Sequence, residues 1–289
     1  MENSHSIYRK KKKAELVSSA NIKSVIAEAV GISRKNIYYR RKQPEKDKAL
    51  LVQINDVHET NPAYGQYRVA LHLKINHKRT ERVMRLNHIK APRHKKKFFC
   101  TVSTYNHNYV NLIHEITPSQ FTPNLIWVCD VSYFKHQGQF WFLATIEDLA
   151  TRKILASQVG KHHNSALIIA TIKQAILLTG CTPTYFHTDQ GTEFMARDTT
   201  DYLELQNVKV SVSAKASPWQ NGYKESFFGH FKDEFGDIER FDTPGQLIEE
   251  IYSQIRYYNY DRIHRSLKMS PVAYAVLKFL EYCLNKRGA

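Results

Sequence analysis

Glu225 and Lys232 stand seven residues apart in the stretch SPWQNGYKESFFGHFKDEF at 217–235. Its Pro/Asn/Gly opening predicts a turn, and the remainder predicts a helix. Phe228, Phe231 and Phe235 fall at i, i+3 and i+7 and make one apolar stripe. Glu225, Gly229 and Lys232 share another face: a carboxylate, a bare turn, then a cation ~10 Å along the axis. Such a face suits an anion lying along it and a metal at Glu225. A carboxylate that binds a divalent metal needs partners. Asp130 lies in LIWVCDVSYF at 125–134, and Asp189 sits between TYFHT at 184–188 and Gln190-Gly191. Asp130 and Asp189 are separated by 58 residues, Asp189 and Glu225 by 35.

These acids must converge from rigid elements, and the pattern supplies them. Strands are predicted at 125–134, 139–147 and 153–159, the first two joined by a turn at Gln137-Gly138. An apolar helix at 165–178 ends at Gly180, a fourth strand at 183–187 delivers Asp189, a helix spans 194–205, and a fifth strand spans 208–212. Three strands in a meander followed by alternating helix and strand predict an α/β domain with a mixed five-stranded sheet. Closing helices are predicted at 243–260 and 271–284, with Thr243 and Gln246 as a capping box. Asp130 then falls midway along the first strand, where an unpaired charge is costly.

The first 100 of the 289 residues hold 24 Lys+Arg against 8 Asp+Glu, while the rest hold 18 against 19. A basic region attached to a neutral domain points to a polyanion partner, and basic blocks at 9–13, 40–42 and 93–97 suit phosphate contact. Residues 15–42 read as a helix-turn-helix: Ile22, Val25, Ile26 and Val30 line one helix, Gly31 turns, Ser33 caps, and the second helix carries Arg34, Lys35, Asn36, Tyr39 and Arg40 toward bases and phosphates. A helical hairpin that merely packs is the alternative. Helices at 46–60, 64–74 and 77–88 follow; the last carries Lys78, Arg79 and Arg82. No apolar run reaches the ~18 residues of a membrane span, and no secretory h-region follows the N-terminus. Cys100, Cys129, Cys181 and Cys283 form no C-x-x-C pair, so free thiols in a reducing cytosol are expected rather than a zinc module; His58, His72, His77, His88 and His94 lack suitable cysteine partners for one.

The three acids and the words around them, WVCDVSYF, HTDQGTEF, SPWQNGYKESFFGHFKDE and YYNYDRIHRSLKMSPVAY, resemble the D,D(35)E core of transposases and retroviral integrases. Together they are similar to the orfB-type catalytic subunit of the IS-three family of bacterial insertion sequences, over roughly residues 15–280. The resemblance implies a ribonuclease-H-like fold and a DNA transposase. Its domain plan is a basic arm at 1–14, a helix-turn-helix at 15–45, a second helical DNA-binding region at 46–98, a linker at 99–120, the catalytic core at 121–240 and closing helices at 241–289. In such chemistry water or a 3′-hydroxyl attacks a phosphodiester in line, and charge builds on the entering and leaving oxygens; two hard cations ~4 Å apart stabilise both. Mg²⁺, or Mn²⁺ in its place, takes oxygen ligands, so carboxylates suffice. The resemblance makes Asp130, Asp189 and Glu225 both catalytic and metal-binding, with Asp130 bridging two ions. It also implies assembly as a homo-oligomer on paired element ends, circular intermediates, no covalent protein–DNA intermediate, a bacterial cytoplasmic and nucleoid location, and frameshift fusion to an upstream partner. Two other readings stay open: a nuclease of the same fold without strand transfer, and a non-catalytic DNA-binding regulator.

Lys232 matches a basic residue of the family and is expected at a DNA phosphate. Trp219, Gln220 and Asn221 either touch DNA or shape the turn. Arg262 and His264 either contact DNA or lock the last helices. His187 reads as a core histidine beside the site. Glu147 and Asp148 read as turn caps, Glu193 as a charge at a helix start and Glu234 as a solvated surface acid.

Overall fold

The structure, a computed structural model, describes residues 28–29, 31, 43–92, 109–213 and 222–287; the side chains of residues 222, 223, 225, 282 and 285–287 are outside that description. The chain divides into two units, 1–53 and 54–289. The expected arm at 1–14 and nearly all of the helix-turn-helix, with Arg34, Lys35, Asn36, Tyr39 and Arg40, lie outside the described residues.

Helix α1 (Gln43–Thr60) runs across the boundary between the units, and α2 (Gln66–His72) and α3 (His77–Leu86) follow in the second. Asn76 caps α3 by accepting from Lys78 N at 2.9 Å. The Thr80 hydroxyl reaches Gln66 O and His77 O, which joins α3 to α2. Buried Val69, Ala70, Val83 and Met84 fill the space between them.

The sheet is built from β1 (Ile126–His136), β2 (Gln139–Asp148), β3 (Ile154–Gly160), β4 (Tyr185–Thr188) and β5 (Lys209–Val212), in the order β3-β2-β1-β4-β5. β1, β2 and β3 pair antiparallel, while β4 pairs parallel to β1 and to β5. Gln137 (φ 49°) and Gly138 (φ 79°) make the β1–β2 turn, as a two-residue hairpin of right-handed twist requires. The parallel step from β3 to β4 needs a crossover, which is α4 (Ser165–Thr179). Asn164 caps its start by accepting from Leu167 N, and Gly180, at φ 70°, ends it in the left-handed region. α5 (Arg197–Leu205) carries the chain from β4 to β5. It begins three residues later than the sequence suggests, because 194–196 turn over Gly191: Phe194 N and Met195 N both donate to its carbonyl. The mixed sheet, α4 and α5, and the closing helices α6 (Gly222–Phe235), α7 (Pro244–Tyr260) and α8 (Pro271–Arg287) form the ribonuclease-H-like arrangement expected.

Alternation along β1 and β2 sorts the two sheet faces. Trp127 and Cys129, with Ala144 and Ile146, pack with α4 and α5 residues such as Ile168, Ile172 and Leu203. Phe134, Trp141 and Leu143 pack instead with Phe227, Phe228, Phe231 and Phe235 of α6 and Leu247, Ile251 and Ile255 of α7. The phenylalanine stripe is buried as its spacing demands, and Thr243 and Gln246 make the expected capping box on α7.

β3 is an edge strand, and its exposed ladder is closed by a side chain. Asn259 accepts from Ile154 N at 2.9 Å and donates to Ile154 O at 2.8 Å. Asn259 thus imitates a neighbouring strand. Part of the segment expected as a linker also packs: Val212 N donates to Val110 O, Leu112 N donates to Ser211 Oγ, and Ile113 and Ile116 cover Ile126, Val128 and Leu149.

Candidate active site

Asp130 and Asp189 come together through strand register. Val128 pairs with His187 in the parallel β1–β4 ladder, so two further residues bring Asp189 abreast of Asp130. Asp130 lies opposite Thr145 on β2 and so shares the sheet face that α6 covers. Its Oδ1 accepts from Val131 N at 2.8 Å, yet burial first and then the charge of Asp189 push its carboxyl up to about 7. Burial also raises Asp189, whose Oδ1 accepts from Gly191 N at 3.0 Å.

Under Asp130 lies a cation that the sequence reading passed over. Lys224 is fully buried; its Nζ donates to Thr145 Oγ1 at 2.9 Å and stands 3.7 Å from Glu147 Oε2. Burial lowers the Lys224 ammonium and raises Glu147, and each charge opposes the shift of the other. The signal was present: Lys224, Phe228, Phe231 and Phe235 fall at i, i+4, i+7 and i+11, so the lysine stands on the apolar stripe and must find a buried partner. Glu147 is therefore a buried ion-pair acid rather than a turn cap. Asp148 does cap a turn, accepting from Thr151 N and Oγ1 and from Asn124 N.

Further charge borders Asp189. Glu193 is buried and its Oε1 lies 2.7 Å from His163 Nε2, whose ring stacks 5.2 Å from Phe142. The hydrogen bond to Glu193 raises the His163 pKa. Glu193 thus serves this pair rather than a helix start. A Cβ on Gly191 would come within 2.5 Å of Glu193 Oε1, so the bare turn leaves room for that carboxylate. His187 is a core histidine, as its sequence context suggests, with Nδ1 at 2.9 Å from Ser211 Oγ and Nε2 at 3.0 Å from Ser213 Oγ.

The remaining candidates scatter. Position 225 lies on α6, but the Glu225 side chain, and Trp219, Gln220 and Asn221, are outside the described residues. Lys232 is exposed and keeps its ammonium 5.2 Å from the Tyr133 ring; burial of its surroundings lowers its pKa, and the charge of Asp130 opposes that. Lys78 and Arg79 are exposed on α3, and Arg82 is half-buried. Arg262 is buried: its Nε donates to both Glu234 oxygens at 2.7 Å. Glu234 also meets Arg68 Nη1 at 3.3 Å, so it is no solvated surface acid. His264 is pushed down to about 4 by burial, with Arg262 and Arg152 adding to the shift.

Comparison with known proteins settles the family. Two profiles described as Integrase core domain match residues 121–218 and 206–271. An uncharacterized transposase-like protein of Haemophilus influenzae is 33% identical over 205 residues, spanning 70% of this chain and 94% of the relative. The chain belongs to the integrase-core transposase family. A second member of that family, the transposase for insertion sequence element IS904 of Lactococcus lactis, is 29% identical over 221 residues, covering 73% of this chain and 86% of its own length. The IS600 insertion-element 31 kDa protein of Shigella sonnei is 28% identical over 267 residues, with 86% and 97% covered. Among solved structures, the HTLV-2 integrase catalytic core domain in complex with magnesium aligns at 20% identity and a TM-score of 0.44 over 53% of this chain and 97% of that one.

The donors fit a hard divalent cation. The charge of Asp189 raises the proton affinity of Asp130, and both side chains offer only oxygen, which is the condition a bound cation relieves. Among the described residues no three His, Cys, Asp or Glu side chains are grouped to hold a metal, and Glu225 is not among those side chains. Among them, too, no helix is long and apolar enough to cross a membrane.

Proposed function

We propose that the chain is the DDE transposase of an IS-three-type insertion element, its orfB-type catalytic subunit. It cleaves DNA at the element ends and transfers the freed 3′-hydroxyl to a target phosphodiester. The observation that carries this is the register that sets Asp130 abreast of Asp189, under the helix that bears Glu225. Asp130, Asp189 and Glu225 would hold two Mg²⁺ ions, or Mn²⁺. When bound, such ions stabilise charge on the entering and leaving oxygens.

The protein's part is placement. Asp130 on β1 and Asp189 directly after the end of β4, with α6 packed on the Asp130 face of the sheet by four phenylalanines, are positioned by the fold itself. Lys224 offsets part of the negative charge beneath them. Lys232 lies one face away, exposed, and would neutralise a strand phosphate. Arg34, Lys35, Asn36, Tyr39 and Arg40, with Lys78, Arg79 and Arg82, would hold the element end, and Trp219 and Asn221 would border the strand. Water and then a 3′-hydroxyl are the nucleophiles, so no side chain bonds to DNA. Paired ends call for a homo-oligomer, with an upstream-frame fusion as the form that acts.

The test is strand transfer of a labelled element-end duplex in Mg²⁺ by wild type and Glu225→Gln. Loss of product with DNA binding retained supports the reading. Equal products remove Glu225 from the site. If neither yields product, the assay is repeated with the upstream frame supplied; continued silence points to a protein that only binds.

A further inference from the structure

On the far side of α6 from Lys232 lies a pocket lined by Ser226 and His230 of α6, Arg152, Arg262, His264 and Ser266, with Glu147 and Tyr258 in its wall. Its surroundings are dense in charge. Lys224 and Arg152 stand 3.7 and 3.9 Å from Glu147, and Arg68 and Arg262 stand 3.3 and 2.7 Å from Glu234. Four cations thus meet two carboxylates at these distances, and the charges of Asp130 and Asp233 also bear on the cluster. Burial first, and then nearby arginines, push the imidazoles of His230 and His264 down to about 4, with Asp233 opposing the shift at His230.

Arg262 gives the pocket a specific donor. It is 2% exposed and spends its Nε on Glu234, while its Nη2 is buried and has no hydrogen-bond partner among the described residues. With Nε taken by Glu234, Nη2 offers one charge-assisted N–H to a phosphate oxygen. Ser266 Oγ lies 3.0 Å from His264 Nδ1; when that nitrogen accepts, Nε2 carries the proton and is a further donor. Exposed Ser226 and Ser266 add hydroxyls at the rim.

Position favours a nucleic-acid phosphate. Ser226 directly follows Glu225 on α6. Glu147 in the pocket wall is two residues along β2 from Thr145, the cross-strand partner of Asp130, a separation of ~7 Å. We propose that this pocket seats one backbone phosphate of the DNA strand that runs past Asp130 and Asp189. The proposal rests on the chain acting on DNA and adds a second anchor, on the side of α6 opposite Lys232. That anchor fixes the strand's path across the acids.

The test uses the full chain and a DNA duplex, with affinity measured across a series of salt concentrations. Ser266→Asp places a carboxylate at the rim on an exposed residue, and Ser253→Asp, exposed on α7, is the control of equal charge. Each phosphate contact contributes about 0.9 to the slope of log K against log salt. Ser266→Asp is expected to lower the slope by about that amount, with Ser253→Asp and wild type alike and all three melting together. His230→Gln should weaken binding in the same direction. Equal slopes in the three proteins overturn the pocket and leave the transposase reading standing. No DNA binding by wild type overturns both. Thermal melts with inorganic phosphate form the other arm: wild type stabilised, Ser266→Asp not, and DNA slopes equal would assign the pocket to free phosphate and overturn the DNA proposal.

Discussion

Asp130 and Thr145 are partners across the β1–β2 ladder, and the Thr145 hydroxyl holds the buried ammonium of Lys224 at 2.9 Å. The candidate acid and the hydroxyl that holds the cation beneath it thus share one rung of the sheet. Lys224→Met removes the cation and leaves Glu147 buried with Arg152 at 3.9 Å. Urea unfolding should show a loss of about 3 kcal/mol, the low end for breaking a buried pair. Adding Glu147→Leu should recover much of it. A single variant as stable as wild type would mean the pair contributes nothing to folding.

The Asp130 carboxyl gives a pH dependence of known sign. Its pKa rises from the ordinary 3.8 to about 7 in the fold. The stability it contributes is fully present below the ordinary value and is lost as pH rises through the folded one. In chelator, wild type and Asp130→Asn should melt alike at about pH 4, with the variant the more stable at about pH 8. Parallel curves would remove Asp130 from the account. Divalent ion should close the gap at high pH by stabilising wild type alone.

Gly191→Ala tests the room kept for Glu193. The new methyl would meet the carboxylate at 2.5 Å, so Glu193 must leave His163. Strand transfer should fall at least about tenfold, since misplacing the Asp189 turn by ~1 Å costs that much or more. Global stability should change little, because the atom displaced is the end of a flexible side chain. Gly191→Ala should add almost nothing in a Glu193→Ala background; additive losses would mean the methyl acts elsewhere.

Glu234→Ala leaves Arg262 buried without its carboxylate, and Arg68 beside it. A loss of about 3–5 kcal/mol is expected in chemical unfolding. Arg68→Ala should cost less, because Arg262 still satisfies the acid.

Lys232→Ala should leave the melting temperature unchanged and lower the salt slope of DNA binding by about one contact. An unchanged slope would assign Lys232 only to the Tyr133 and Phe134 rings it covers.

Strands and helices of the core were legible because apolar periodicity and turn residues agree there: Gln137-Gly138, Gly180 and the Thr243–Gln246 box each mark an end that the structure keeps. The meeting of Asp130 and Asp189 was legible only through the motif, since parallel register leaves no local trace in sequence. Lys224 was passed over and Glu234 misread for one reason. A charged residue reads as solvated until its partner is known, and Glu147 and Arg262 lie 77 and 28 residues away. Arg262 and Asn259 show that the YYNYDRIHRSL segment works largely as a fastening, one residue to Glu234 and the other to the edge of β3.

The sheet order has a kinetic consequence. β1, β2 and β3 pair with sequence neighbours and can form early, whereas β4 reaches β1 only after the α4 crossover has packed. Until then Asp130 has no neighbour at Asp189's position. A chain in which β4 has not yet docked therefore carries Asp130 and Asp189 without their pairing, the arrangement the proposed chemistry requires.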